Sequence, residues 1–176
     1  MSGRRSLALP AFVFLLAGLP ASALAQLPGF VAGFGGGTFN TETNAPEGTS
    51  GGFAYQAQAG VRLAHVHFGA EFGSYTTARN AKSQIFGAFA RFPSYIGQSE
   101  AQIFLGIGLG VYRFDPISGK HSTTAGGSIG PGVSIGLKGV PLAVLAEVRF
   151  HSTFDKLPRI NGQEFIAALG GLELRF

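Results

Sequence analysis

The sequence predicts an all-β fold, an eight-stranded antiparallel transmembrane β-barrel with up-and-down topology. Three observations predict it. Apolar residues alternate with polar or small ones along most of the chain after Ala25, the pattern of strands whose two faces meet different surroundings. Gly 28, Phe 17 and only 12% charged residues give more apolar surface than one small core can hide. Yet no stretch after Ala25 is long and apolar enough for a membrane helix, whereas Ile103–Tyr112 has the length of a membrane-crossing strand.

The chain opens with MSGRRSLALPAFVFLLAGLPASALAQ. Arg4 and Arg5 make a positive start, Leu7 to Leu19 an apolar stretch, and Ala23-Leu24-Ala25 a small-x-small cleavage site. Residues 1–25 therefore read as a secretory signal peptide cut after Ala25, and residues 26–176 as one barrel domain. The leader holds two of the 13 Lys+Arg and none of the 9 Asp+Glu, so the remaining chain is close to neutral. The high pI is then no argument for nucleic acid. Without cysteine there is no disulfide, thiolate metal site or lipid-bearing Cys, and the four His have no supporting ligand cluster. No cofactor is expected.

The strands follow in order. The first, about Phe30–Asn40, is glycine-rich and its facing is open. The second sets Phe53, Tyr55, Ala57, Ala59, Val61 and Leu63 outward against Gln56, Gln58, Gly60 and Arg62. In the third, Val66, Phe68, Ala70 and Phe72 oppose His67, Gly69, Glu71 and Gly73. The fourth, about Gln84–Phe92, turns Phe86, Ala88, Ala90 and Phe92 outward. The fifth alternates Ile103, Leu105, Ile107, Leu109 and Val111 with glycines and Gln102. The sixth, about Ser128–Lys138, contains Pro131, which lacks a ladder donor; the strand starts after it or a bulge absorbs it. The seventh, Leu142 to His151, places Glu147, Arg149 and His151 on one face. The eighth, Phe165–Phe176, presents Leu172, Leu174 and Phe176 on one face and Glu173 and Arg175 on the other.

Connections alternate in length. Leu63–Val66, Pro93–Glu100 and Gly139–Pro141 are short or moderate, while Thr41–Gly52, Thr76–Ser83, Asp115–Gly127 and Ser152–Glu164 are longer and polar, with Asn161-Gly162 a turn signal in the last. Such asymmetry marks a bacterial outer-membrane barrel, with periplasmic turns and outer loops.

The signal "ASALAQ", the strand "AQIFLGIGLGVYRF", "AEVRFH" and the closing "AALGGLELRF" together resemble the small outer-membrane β-barrel family of OmpA-like and OmpX-like proteins. The resemblance implies a barrel with both ends in the periplasm and an aromatic C-terminal signal for the barrel-assembly machinery, here Leu172, Leu174 and Phe176. It implies no single function, because the family includes adhesins, structural proteins and enzymes.

Inward parity brings together Arg62, Glu71, Lys138, Glu147, Arg149, Glu173 and Arg175. An eight-stranded barrel is just wide enough for side chains to fill, so these charges are expected to pair across the lumen and plug it, with His67 and His151 as candidates to join. Arg79, Lys82, Lys120, Lys156 and Arg159 fall in the outer loops, where Lys and Arg suit lipopolysaccharide phosphates. Phe30, Phe53, Tyr55, Phe72, Phe92 and Phe114 fall near strand ends, the place of interface girdles.

Catalytic signals are thin. Gly126–Gly130 and Gly132–Gly136 each match G-x-S-x-G, but neither precedes a helix, as a nucleophile elbow requires. "FHSTFDK" is similar to the His and Ser region of PagL-type lipid A deacylases, but Ser152 directly follows His151, so the two face opposite ways, and only Thr153 shares the face of His151. The expectation is a non-enzymatic, monomeric protein of a Gram-negative outer membrane, exported across the inner membrane, with outer-membrane lipid and lipopolysaccharide as partners and no nucleic acid. Its role is structural or by surface contact through the loops. The alternatives are a narrow, porin-like channel for small solutes, a PagL-type enzyme, and a soluble, lipocalin-like binder whose apolar face turns inward around a ligand.

Overall fold

A computed structural model describes residues 28–41, 51–76, 82–97, 100–115, 121–154 and 164–176. Eight strands follow one another: β1 (Gly29–Asn40), β2 (Gly52–Arg62), β3 (His67–Thr76), β4 (Lys82–Tyr95), β5 (Ala101–Asp115), β6 (Ser122–Gly136), β7 (Leu142–Thr153) and β8 (Phe165–Arg175). Each is antiparallel to the next, and β1 pairs with β8 to close the sheet into a barrel. The closing seam runs from Phe30↔Arg175 to Asn40↔Phe165. Gly29 and Phe176 extend it by exchanging two backbone hydrogen bonds of 2.7 and 3.0 Å. Closure leaves no row of unpaired N–H and C=O groups along an edge.

The ends of β2, β4 and β6 lie at the same end of the barrel as the start of β1 and the end of β8; we call this the turn end and its opposite the loop end. Gly139, at φ +79°, supplies the left-handed residue of the β6–β7 turn. The signal segment 1–25, Arg79, Lys120, Lys156, Arg159 and Asn161-Gly162 lie outside the described residues.

Alternation sorts the side chains as the sequence expects. Phe53, Tyr55, Phe72, Phe86, Phe92, Ile103, Leu105, Leu109, Val144 and Val148 are exposed on the outside. So are Leu172, Leu174 and Phe176. The facing left open for β1 resolves with Phe30, Ala32, Phe34 and Thr38 inward and buried. Phe30 and Phe114 therefore cannot join an outer girdle: both are buried inside, because they share the parity of Phe34 and Tyr112.

Two strands, β4 and β6, depart from the sequence reading in their bounds. β4 continues through Pro93, paired with Phe104, to Tyr95. β6 begins at Ser122 and ends at Gly136, because Thr123, Thr124 and Ala125 keep pairing with β5 although their composition reads as loop. Lys138 consequently falls in the turn after β6 and is exposed, so it is not a lumen charge. Pro131 neither starts the strand nor sits in a bulge. The register against β7 is the same on both sides of it, Ile129↔Phe150 before and Gly132↔Glu147 after, with the two intervening pairs missing. Pairing with β5 runs through it unbroken.

The wall depends on glycine where strands approach closely. Gly60 and Gly69 are direct partners, and a Cβ on Gly69 would lie 2.0 Å from the Ala59 carbonyl oxygen. Gly69→Val should therefore block closure: the variant is expected to lose the compact band that a refolded barrel gives on gel electrophoresis without heating and that boiling shifts to the unfolded position. A normal band would show that β2 and β3 can move apart.

Candidate functional site

The candidate site is the charged lumen. β7 supplies Glu147, Arg149 and His151 at alternate positions, so all three point inward from one strand. Arg149 is fully buried and forks between two carboxylates: its Nη1 lies 2.6 Å from Glu71 Oε2 and its Nε 3.2 Å from Glu147 Oε1. Glu71 Oε2 also accepts hydrogen bonds from Gln56 Nε2 at 2.8 Å and Gln58 Nε2 at 3.1 Å. Glycine makes room for this carboxylate. A Cβ on Gly108 would lie 2.5 Å from Glu71 Oε1 and 2.6 Å from Ser128 Oγ.

Gln58 bridges to a second ionic centre, because its Oε1 accepts from Arg91 Nη2. Arg91 Nη1 lies 2.8 Å from Glu173 Oε2, whose other oxygen meets Arg175 Nε at 2.8 Å. Arg175 Nη2 then donates to Ser134 Oγ at 2.9 Å. Rings of Phe30, Phe34, Phe89 and Phe104 surround the Arg91 guanidinium, with centroids 5.1–5.5 Å from its central carbon. Such placement lets the ring faces replace water around a cation. The polar chain thus runs Arg149, Glu71, Gln58, Arg91, Glu173, Arg175, Ser134, and the cage adds side chains from β1 and β5.

An aromatic tier lies toward the loop end. His151 stacks on Phe165 with centroids 4.6 Å apart and sits 4.9 Å from the Tyr75 ring. Tyr112 OH donates to the Gly127 carbonyl at 2.9 Å and lies 3.1 Å from His151 Nδ1. With that hydroxyl proton engaged by the carbonyl, His151 Nδ1 is placed to donate to the tyrosine oxygen.

Of the sequence-expected charges, Glu71, Glu147, Arg149, Glu173 and Arg175 come together. Arg62 is half-buried at the turn end and takes part in no ion pair among the described residues. His67 packs against the Phe30 ring, 6.0 Å between centroids, rather than in an ion pair. Lys82 is exposed at the loop end, where β4 begins. Sequence reasoning missed Arg91, although the outward parity of Phe92 and Ala90 already turns it inward. His151 and Ser152 face opposite sides of β7, with His151 buried inside. Ser128 and Ser134 of the two G-x-S-x-G matches both lie within β6.

No protein-family model matches the sequence, and no curated relative matches it. Solved structures do resemble the fold. Neisserial surface protein A superimposes with a TM-score of 0.67 at 20% identity, over 85% of this chain and 97% of that one. The N-terminal β-barrel domain of Pseudomonas aeruginosa OprF gives a TM-score of 0.62 at 14% identity, over 86% and 98%. The closed up-and-down sheet and these superpositions give the chain the fold of the small eight-stranded outer-membrane β-barrels.

Proposed function

We propose that the protein is a non-enzymatic barrel of a Gram-negative outer membrane, exported by its 1–25 signal segment and acting through its loop end. In this reading the barrel is an anchor, its lumen closed by ionic pairs, and the function is structural or a surface contact. The observation that carries it is the continuous side-chain network from Arg149 to Ser134 across an interior that eight strands leave little wider than side chains. The apolar outer face supports membrane residence, since hydrocarbon is the solvent that suits Leu109, Phe86, Leu172 and Leu174 together. Lys82, with Arg79, Lys120, Lys156 and Arg159, is proposed to meet lipopolysaccharide phosphates. Leu172, Leu174 and Phe176 are proposed as the handle for the assembly machinery.

The test is single-channel recording of the refolded 26–176 protein in a planar bilayer, beside Glu147→Gln. The expected result is no discrete conductance from either. Openings that change with the variant would overturn the plugged lumen and favour a narrow channel. Release of the native protein from membranes by carbonate would overturn the anchor itself.

A further inference from the structure

The break at Pro131 coincides with a groove in the outer wall. Pro131 has no N–H, and its nitrogen is on the side of β7, because pairing with β5 is intact while the two pairs between Ile129↔Phe150 and Gly132↔Glu147 are missing. The carbonyl of Val148 points into this gap: a Cβ built on Gly130 would lie 1.8 Å from its oxygen. Antiparallel strands exchange bonds at alternate pairs, so Val148 C=O is the acceptor left without its ladder donor. Over the gap lies a groove of about 920 Å³, with Phe92, Leu105, Pro131, Val148, Ala168 and Gly170 in its lining. Phe92 and Leu105 stand up as a wall, whereas Ala168 and Gly170 leave the floor low. Val148 is near the middle of β7.

An unmatched carbonyl is costly in hydrocarbon, where no water can serve it. We propose that this groove is a binding site for one lipid acyl chain carrying a hydroxyl near its methyl end, which lies along the largely apolar lining and, at the depth of the middle of β7, donates to Val148 O. The inference rests on the membrane reading above: the groove continues the outward apolar face, so its occupant is a membrane lipid rather than a soluble ligand. A plain chain fills the same volume but leaves the carbonyl unserved. The site therefore discriminates by one hydrogen bond, which corresponds to about fivefold in affinity.

The chain contains no Trp, so one introduced indole reports one place. Phe92→Trp marks the groove rim, and Tyr55→Trp marks β2, across the barrel from it. Each refolded protein is placed in vesicles of phosphatidylcholine with brominated chains, which quench tryptophan on contact. Phosphatidylcholine with a hydroxyl near the end of one acyl chain, or the same lipid without it, is then titrated in. At Phe92→Trp the hydroxylated lipid should restore fluorescence at about fivefold lower concentration than the plain one. At Tyr55→Trp the two should be equal. Adding Pro131→Val to Phe92→Trp returns a donor to Val148 and should erase the preference; Pro131→Ala serves equally if valine perturbs folding. Equal titrations at Phe92→Trp, or a preference that survives the proline replacement, would overturn the site while quenching upholds membrane insertion. No quenching of either indole would overturn the membrane reading and this inference with it.

Discussion

Replacing Arg149 with methionine should destabilise the refolded barrel by about 3–5 kcal/mol, the cost of breaking a buried ion pair from one side. The guanidinium is fully buried and is the cation that Glu71 and Glu147 share. Without it two carboxylates, each less than 5% exposed, are left beside each other in an interior that solvates them poorly. Glu71 retains its two glutamine donors, while Glu147 loses the one ion-pair partner it has among the described residues. Urea unfolding in detergent micelles, followed by circular dichroism, measures the loss. The triple variant Arg149→Met, Glu71→Gln, Glu147→Gln should recover most of it, because no buried charge then lacks a partner. A single variant within about 0.5 kcal/mol of wild type would sink the idea that these charges pair across the lumen.

Arg91→Ala is expected to cost a similar amount, about 3–5 kcal/mol, for a different reason. Here Glu173 keeps Arg175, but Gln58 loses the donor that ties the two ionic centres together. Four phenylalanine rings also lose the cation they enclose. Arg91→Lys separates charge from shape. An ammonium restores the positive charge but lacks the planar fork that reaches Glu173 and Gln58 at once. Lysine should therefore recover only part of the loss in the same unfolding measurement. Full recovery would mean that charge alone matters here and that the fork and the cage add nothing.

Much of the barrel was legible because its two faces meet such different surroundings. β5 shows the rule plainly: Ile103, Leu105, Ile107, Leu109 and Val111 point out, while Gln102, Phe104 and Tyr112 point in. β6 resisted the same reading. Its serines, threonines and glycines resemble a loop, and only pairing with Val111, Tyr112, Arg113 and Phe114 extends it back to Ser122. Displacing that strand carried Lys138 out of the lumen. Arg91 went unnoticed although it lies within the strand read as Gln84–Phe92 and its parity, opposite to that of Ala90 and Phe92, was available. Which carboxylate meets which cation was not legible at all. Glu71 and Arg149 are 78 residues apart, and Arg91 and Glu173 are 82. Their meeting depends on the stagger of the closed sheet, which no local pattern encodes.

The seam between β1 and β8 also sets an order of events. The first strand has one of its two lateral partners in β2, nearby in the chain, but the other arrives only with the last strand. Until then β1 and whichever strand has most recently paired expose open edges, the surfaces on which chains join one another instead of themselves. Closing so long a loop is slow, since its entropy must be overcome before the final pairs form. Arg91 and Arg175 wait for the same moment, because Glu173, the carboxylate that holds both, arrives on the closing strand. Maturation of this chain is thus a race between ring closure and association with its neighbours, decided at the step that brings Phe176 to Gly29.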